Sequence, residues 1–192
     1  MKRCNWVNLK NNNYIYYHDN EWGKPHYDDS YLFEFLLLET FQAGLSWECI
    51  LNKRNSFKIA FDNYDYQKIA MYQQDKIDEL MNNKNIIRNK LKINAQINNA
   101  KVFIAIQKEF GSFSDYIWNF TDRKVIYNID DCFKTTSDLS DKVSKDLYNR
   151  GMKFVGSTII YSYLQAIGII NDHQLDCDFR GEVCHLKKQK NI

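Results

Sequence analysis

Apolar residues along the chain recur mostly at intervals of three and four, and the polar or glycine positions between them mark where helices start and stop. The run from Tyr31 to Trp47 is the most informative. Leu32, Phe35, Leu36 and Glu39 fall on one helical face, with Ala43 one turn on, so a carboxylate sits inside an apolar stripe. A charge there costs several kcal/mol, roughly, unless it is paired. Asp29 or Ser30 caps this helix, Gly44 ends it, and Ser46 caps a second helix carrying Ile50, Leu51, Phe57 and Phe61. Leu45 is left at the tip of the turn. These positions fit a pocket with an apolar wedge at its lip; they also fit a core helix with a partnered glutamate and a leucine folded inward.

The remaining pattern is helical as well. Asp65 and Asp75 open two short helices, the first holding Ile69 and Met71, the second Ile77, Leu80 and Met81. A long amphipathic run extends from about Ile87 through Leu91, Ala95, Val102 and Phe103 to Phe110. Gly111 and Ser112 break it before a short helix with Phe113, Tyr116, Ile117 and Trp118, and residues 121–137 read as a connecting loop. From Ser140, Val143 and Leu147 mark one helix; Arg150 to Gly156 interrupt it, and Ser157 or Thr158 starts another with Ile159, Ile160, Tyr163, Leu164 and Ile167. The pattern predicts an all-α chain with no internal repeat and no linker.

Composition narrows the class. With 44% hydrophobic and 15% aromatic residues, 192 residues suffice for one sizeable domain or two lobes sharing a core. One proline and seven glycines argue against a sandwich of many tight turns. A net charge of +2 is too small to announce a polyanion partner. Five cysteines, an odd number, without a signal peptide fit free thiols or metal ligands in a reducing cytoplasm. No segment approaches the ~20 apolar residues of a membrane span, so no membrane partner is expected.

Four stretches carry candidate chemistry. Cys4, Trp6, Tyr14, Tyr16, Tyr17, His18 and Trp22 interleave aromatics with one thiol and one imidazole, which suits a metal half-site, a base-stacking wall or an aromatic plug on the first helix. Between Glu79 and Glu109 there is no acid, whereas Lys84, Arg88, Lys90, Lys92, Lys101 and Lys108 are basic, as on a solvated face or along a phosphate backbone. Two helices joined by a turn with a glycine at each end, Gly151 and Gly156, suit a helix-hairpin-helix, whose turn amides can hold a phosphate. His173 and Cys177, four apart, put two donors on one side of a helical turn and with Cys4 and His18 would complete a tetrahedral set.

Taken in order, the Cys4–Gly23 and Glu39–Trp47 segments, Ile86–Arg88, the Lys153–Gly156 turn and Asn171, Asp172, His173 resemble the 3-methyladenine DNA glycosylase I family, from Arg3 to about Cys177. The resemblance implies a helix-hairpin-helix glycosylase fold in one domain, 1–181, acting as a monomer on double-stranded alkylated DNA and releasing 3-methyladenine. It implies one structural Zn2+ on Cys4, His18, His173 and Cys177. It places the base pocket on Tyr14, Tyr17, Trp22, Glu39 and Trp47, with Glu39 as the catalytic residue, and the DNA wedge on Gly44 and Leu45. The hairpin contact to DNA falls on Lys153, Phe154, Val155, Gly156 and Thr158. Met152 and Ser157 depart from the residues usual in the hairpin. Thr158 stands where strand-cleaving relatives carry a lysine, which implies hydrolysis without strand cleavage. No catalytic aspartate is assigned among Asp172, Asp176 and Asp178. The tail 182–192, with Lys187, Lys188 and Lys190, has no counterpart and is expected to be disordered. A damage-binding protein that keeps the pocket without catalysis is the alternative.

Overall fold

Helix α2 (Asp29–Gln42) is the element on which the others are laid. Leu32, Phe33, and every residue from Phe35 to Phe41, are buried, so this helix has almost no wet face. A helix apolar all round must be enclosed, and α2 is covered by α3 (Trp47–Ala60), α6 (Lys90–Phe110), α7 (Phe113–Asn119) and α9 (Ser157–Ala166). The computed structural model describes residues 1–129 and 132–181. The chain enters through α1 (Asn12–Asn20); a 3-10 turn (Asp62–Tyr64), α4 (Tyr66–Ile69) and α5 (Gln74–Asn82) connect α3 to α6; and α8 (Asp138–Asn149) precedes α9. The described residues are mostly helical, and none of their helices is long and apolar enough to cross a membrane. What was expected of residues 182–192 lies outside the described residues.

Most helix starts are set by side chains that satisfy free backbone amides. Asn11, Asp28, Ser46, Asp65, Asn89, Ser112 and Ser137 each accept from amides of the first turn of the helix that follows. Several predicted boundaries shift accordingly. The cap of α2 is Asp28, one residue before the expected pair, and Asp29 instead accepts from the Phe113 and Ser114 amides at 2.9 and 2.8 Å, tying α7 to α2. The long helix begins after Asn89, because Asn89 takes the Lys92 amide, not at Ile87. Ser140 lies inside α8 as the partner of Ser137 in a capping box. Asp75 sits in the first turn of α5, which has no side-chain cap.

Two features were not anticipated. Residues 12–20 form a helix, although their tyrosines gave no clean period. Within the presumed loop, β1 (Ile126–Tyr127) pairs in parallel with β2 (Ile170–Asn171), Ile126 opposite Ile170, so the chain is not purely α. The end of α9, just before β2, is met by the segment after Trp22: the Gly23 amide donates to the Gln165 carbonyl at 2.9 Å and the His26 amide to the Ile167 carbonyl at 3.0 Å. Gly168 makes this crossing possible. Its φ is +75° and a Cβ there would collide with the Lys24 carbonyl.

Gly168→Ala therefore combines left-handed backbone strain with a backbone clash. It is expected to destabilise the protein by about 2–4 kcal/mol, measured by urea unfolding.

Candidate active site and metal cluster

A cavity of about 480 Å³ opens between α1, α2 and α3 on one side and α9 with the segment after β2 on the other. Tyr14, Tyr17, Trp22, Glu39 and Trp47, the five residues expected to form a pocket, all line it. Their rings pack as a box: Tyr17 lies 5.2 Å from Trp47 and 5.8 Å from Phe35, and Trp6 bridges Tyr14 at 5.4 Å and Trp22 at 4.7 Å. Such spacing leaves ring faces and edges to meet a flat aromatic guest.

Glu39 is 2% exposed, because α2 carries it into the covered centre of the fold. Its Oε2 is buried with no hydrogen-bond partner, and so is the Trp47 Nε1–H on the same cavity wall. Burial pushes the Glu39 carboxyl well above the usual carboxylate range. An orphaned acceptor and an orphaned donor in one cavity are the mark of a site that expects a polar ligand. The opposite wall holds a second carboxylate. Asp172 accepts from Tyr161 Oη at 2.9 Å and from Gln165 Nε2 at 2.6 Å, and all three line the cavity. Trp6, named in the sequence as part of an aromatic stretch with a base-stacking wall among its readings, also lines the cavity, whereas Gln42, Tyr161 and Gln165 were not assigned to a pocket; only their residue types hinted at this place.

At the rim, α2 ends in the corner Ala43–Ser46. Gly44 takes φ +78° in open space, and Leu45 is 39% exposed at the tip, with its amide donating to Gln42 at 2.6 Å. The second expected DNA contact is the turn between α8 and α9. Lys153, Gly156 and Thr158 are exposed, Phe154 is half-exposed with φ +57°, and Thr158 also faces the cavity. Val155 is buried, so only its backbone is offered outward. The turn is shaped from α6: Asn99 accepts from the Lys153 amide at 2.8 Å and donates to its carbonyl at 3.0 Å, and Asn98 donates to Gly151 at 2.7 Å. Met152 fills the core beneath. Of the basic run, Lys92 does not belong to a solvated face, since it is buried against the end of α2.

Cys4, His18, His173 and Cys177 converge behind the Trp22 wall, all buried, with their ligating atoms within 4.8 Å of one another. Cys4 Sγ lies 3.6 Å from His173 Nδ1, and Cys177 Sγ lies 3.5 Å from His18 Nε2 and 3.4 Å from His173 Nδ1. The outer ring nitrogens are already engaged: His18 Nδ1 with Asp19 at 2.7 Å and His173 Nε2 with the Trp22 carbonyl at 3.1 Å. That leaves His18 Nε2 and His173 Nδ1 to present lone pairs inward, as metal-bound imidazoles do. Burial pushes the Cys4 thiol up to about 12 and His173 down to about 4, so without a cation these two donors are neutral. A divalent cation offsets the cost of the thiolate charge. The group could hold a metal ion. The residues between His173 and Cys177 form turns, not the helical turn predicted.

The chain is similar to known proteins over almost its whole described length. Residues 6–181 match the model of the methyladenine glycosylase family. The chain is 43% identical over 178 residues to DNA-3-methyladenine glycosylase of Haemophilus influenzae, covering 91% of this chain and 96% of the relative. It is 40% identical over 180 residues to DNA-3-methyladenine glycosylase 1 of Escherichia coli K12, covering 92% and 96%. A crystal structure of 3-methyladenine DNA glycosylase I superposes with a TM-score of 0.88 at 41% identity, covering 92% of this chain and 98% of that one. A structure of 3-methyladenine recognition by the Staphylococcus aureus glycosylase superposes at 0.87 with 34% identity, covering 91% and 94%. With a family model matched over residues 6–181 and relatives 43% and 40% identical over more than nine-tenths of the chain, the chain belongs to the methyladenine glycosylase family.

Proposed function

We propose that the chain is a monofunctional DNA-3-methyladenine glycosylase, acting as a monomer on alkylated duplex DNA. The observation that carries the reading is the unpartnered Glu39 carboxylate inside an aromatic cavity. A base in duplex DNA has to rotate out of the stack before it can enter such a cavity, at a cost of a few kcal/mol, roughly. Leu45, at the rim, fills the space left behind, as apolar wedges do in kinked duplexes. The α8–α9 turn serves as the helix-hairpin-helix, with the Lys153 side chain and the backbone from Phe154 to the α9 N-terminus at Thr158 holding a phosphate.

Methylation at N3 makes the bound adenine cationic. Stacking such a ring on Trp47 and the tyrosines is worth about 1–2 kcal/mol more than stacking a neutral one. Glu39, as the catalytic residue in contact with the base, accepts from the exocyclic amine, which guanine does not offer at that position. Contact with a cationic donor reverses the desolvation that keeps the empty pocket's carboxyl protonated. The N-glycosidic bond breaks with its electron pair passing to the base, which leaves neutral, and water adds at C1′ with loss of a proton to solvent. With Thr158 at the position where strand-cleaving relatives carry a lysine, the amine nucleophile is missing from that position, hence no Schiff base and no strand cleavage.

The metal suited to the Cys4, His18, His173 and Cys177 donors is Zn2+. A tetrahedral zinc with bonds of about 2.3 Å to sulfur and 2.05 Å to nitrogen has S···N edges of about 3.6 Å, and the three edges named above run from 3.4 to 3.6 Å. Four protein ligands would leave no open position, so such an ion would be structural and would hold the Trp22 wall to the segment after β2.

Glu39→Gln keeps the shape but replaces an acceptor by an amide. Affinity for 3-methyladenine is expected to fall by roughly 1.5–3 kcal/mol, read by calorimetric titration. Stability is expected to hold or rise. Because burial raises the Glu39 pKa, the native state keeps its proton longer than the unfolded chain, and stability falls as pH rises above about 4.3. The Tm advantage of Glu39→Gln therefore widens from about pH 4 to pH 7. A merely structural Glu39 gives the opposite pair, lower stability and unchanged affinity.

Cys177→Ala is expected to lose zinc and thermal stability together, measured by metal analysis and melting. Full zinc occupancy after loss of both Cys4 and Cys177 would sink the assignment. Release of free base from duplex carrying N3-methyladenine, with the strand left intact, separates the enzyme from a damage-binding protein.

A further inference from the structure

Lys92 is in the wrong place for a lysine. It is the third residue of α6, where the positive end of its own helix disfavours a cation, and it is only 6% exposed. Its ammonium donates to the Phe41 carbonyl at 2.8 Å and to the Ala43 carbonyl at 2.6 Å. Those carbonyls form the negative end of α2, a helix with no basic residue in its own last turn. Most of the other helices close their ends with a backbone amide at the cap, whereas none closes α2 at Ala43. One turn on, Gln96 Nε2 donates to Thr40 Oγ1 at 2.7 Å, with both residues fully buried. Helix α6 thus grips the last turn of α2 at two points, immediately before Gly44 and the exposed Leu45.

We propose that Lys92 is a positioning residue for DNA engagement: by clamping the Phe41 and Ala43 carbonyls it fixes the corner from which Leu45 enters the duplex. The inference rests on the glycosylase reading above. Gly44 has open space and a backbone free to turn, so the corner is rigid only if something outside it holds its entry. Insertion of an apolar side chain into a base stack needs that rigidity, since a wedge that yields transmits no force. The base cavity needs it far less, because Glu39 is packed within α2 itself.

The test is a double-mutant cycle with wild type, Lys92→Met, Leu45→Gly and the double variant. Three quantities are read: single-turnover release of 3-methyladenine from duplex, affinity for free 3-methyladenine, and fluorescence of 2-aminopurine placed beside an abasic-site analogue in duplex DNA. Lys92→Met is expected to slow release tenfold or more and to abolish the fluorescence rise, with free-base affinity within twofold of wild type. In the Leu45→Gly background it adds nothing further, because both changes remove the same insertion. Effects that multiply, a free-base affinity that falls in step with release, or no effect at all would each overturn the proposal. If Lys92→Met does not fold, Lys92→Gln, which keeps one donor, takes its place in the same cycle. Wild-type protein that releases no base counts against the glycosylase reading alone, and the fluorescence cycle still decides the role of Lys92.

Discussion

A helix without a wet face has to be enclosed before it is stable, and the enclosure of α2 governs this molecule. Leu32, Phe33, Phe35, Leu36, Leu37, Leu38 and Phe41 leave water completely, each adding about 1.5–3 kcal/mol of burial, and they do so against helices from both halves of the chain. The direct hydrogen bond from Tyr163 Oη to the Leu32 carbonyl at 3.0 Å, deep between α9 and α2, shows how little room is left. A carboxylate placed on such a helix is dry by construction. The position of Glu39 is therefore a property of the fold as a whole, and any ligand that pairs with it is rewarded for a desolvation already incurred in folding.

The same enclosure explains what could be read from residues alone. The stripe through Leu32, Phe35, Leu36 and Glu39 was legible because helical spacing and an out-of-place charge are both visible in one stretch. The Gly44–Leu45–Ser46 corner was legible because a glycine stop and a serine cap have fixed positional meanings. Helix α1 was not, since Tyr14, Ile15, Tyr17 and His18 serve two different walls and show no single face. The β1–β2 pair was illegible because two-residue strands carry no period, and the two partners lie in distant parts of the chain. Lys92 was misread for a similar reason. A charge run looks solvated until a distant helix end claims one member of it.

Cavity and cluster share the Trp22 neighbourhood, which couples the four donors to the pocket wall. Trp22 lines the cavity and meets His173 edge to face at 4.6 Å between ring centroids, while its carbonyl engages the same imidazole. Arg180 donates to the His173 and Asn128 carbonyls, linking the cluster to the strand pair. The pocket's back wall thus adjoins a buried four-donor centre, and Trp22 is packed between the two.

The donors of that centre are far apart along the chain, 169 residues between Cys4 and His173 and 159 between His18 and Cys177. Closing so long a loop carries a large entropy cost, and it cannot begin until the last donor exists. A ribosome making this protein vectorially therefore completes α2, its covering helices and the hairpin first. The aromatic wall that α1 and Trp22 supply is fastened only when the segment around Cys177 has emerged. Assembly order thus separates scaffold from recognition surface: a chain released early has helices to bury but no back wall against which to hold a base.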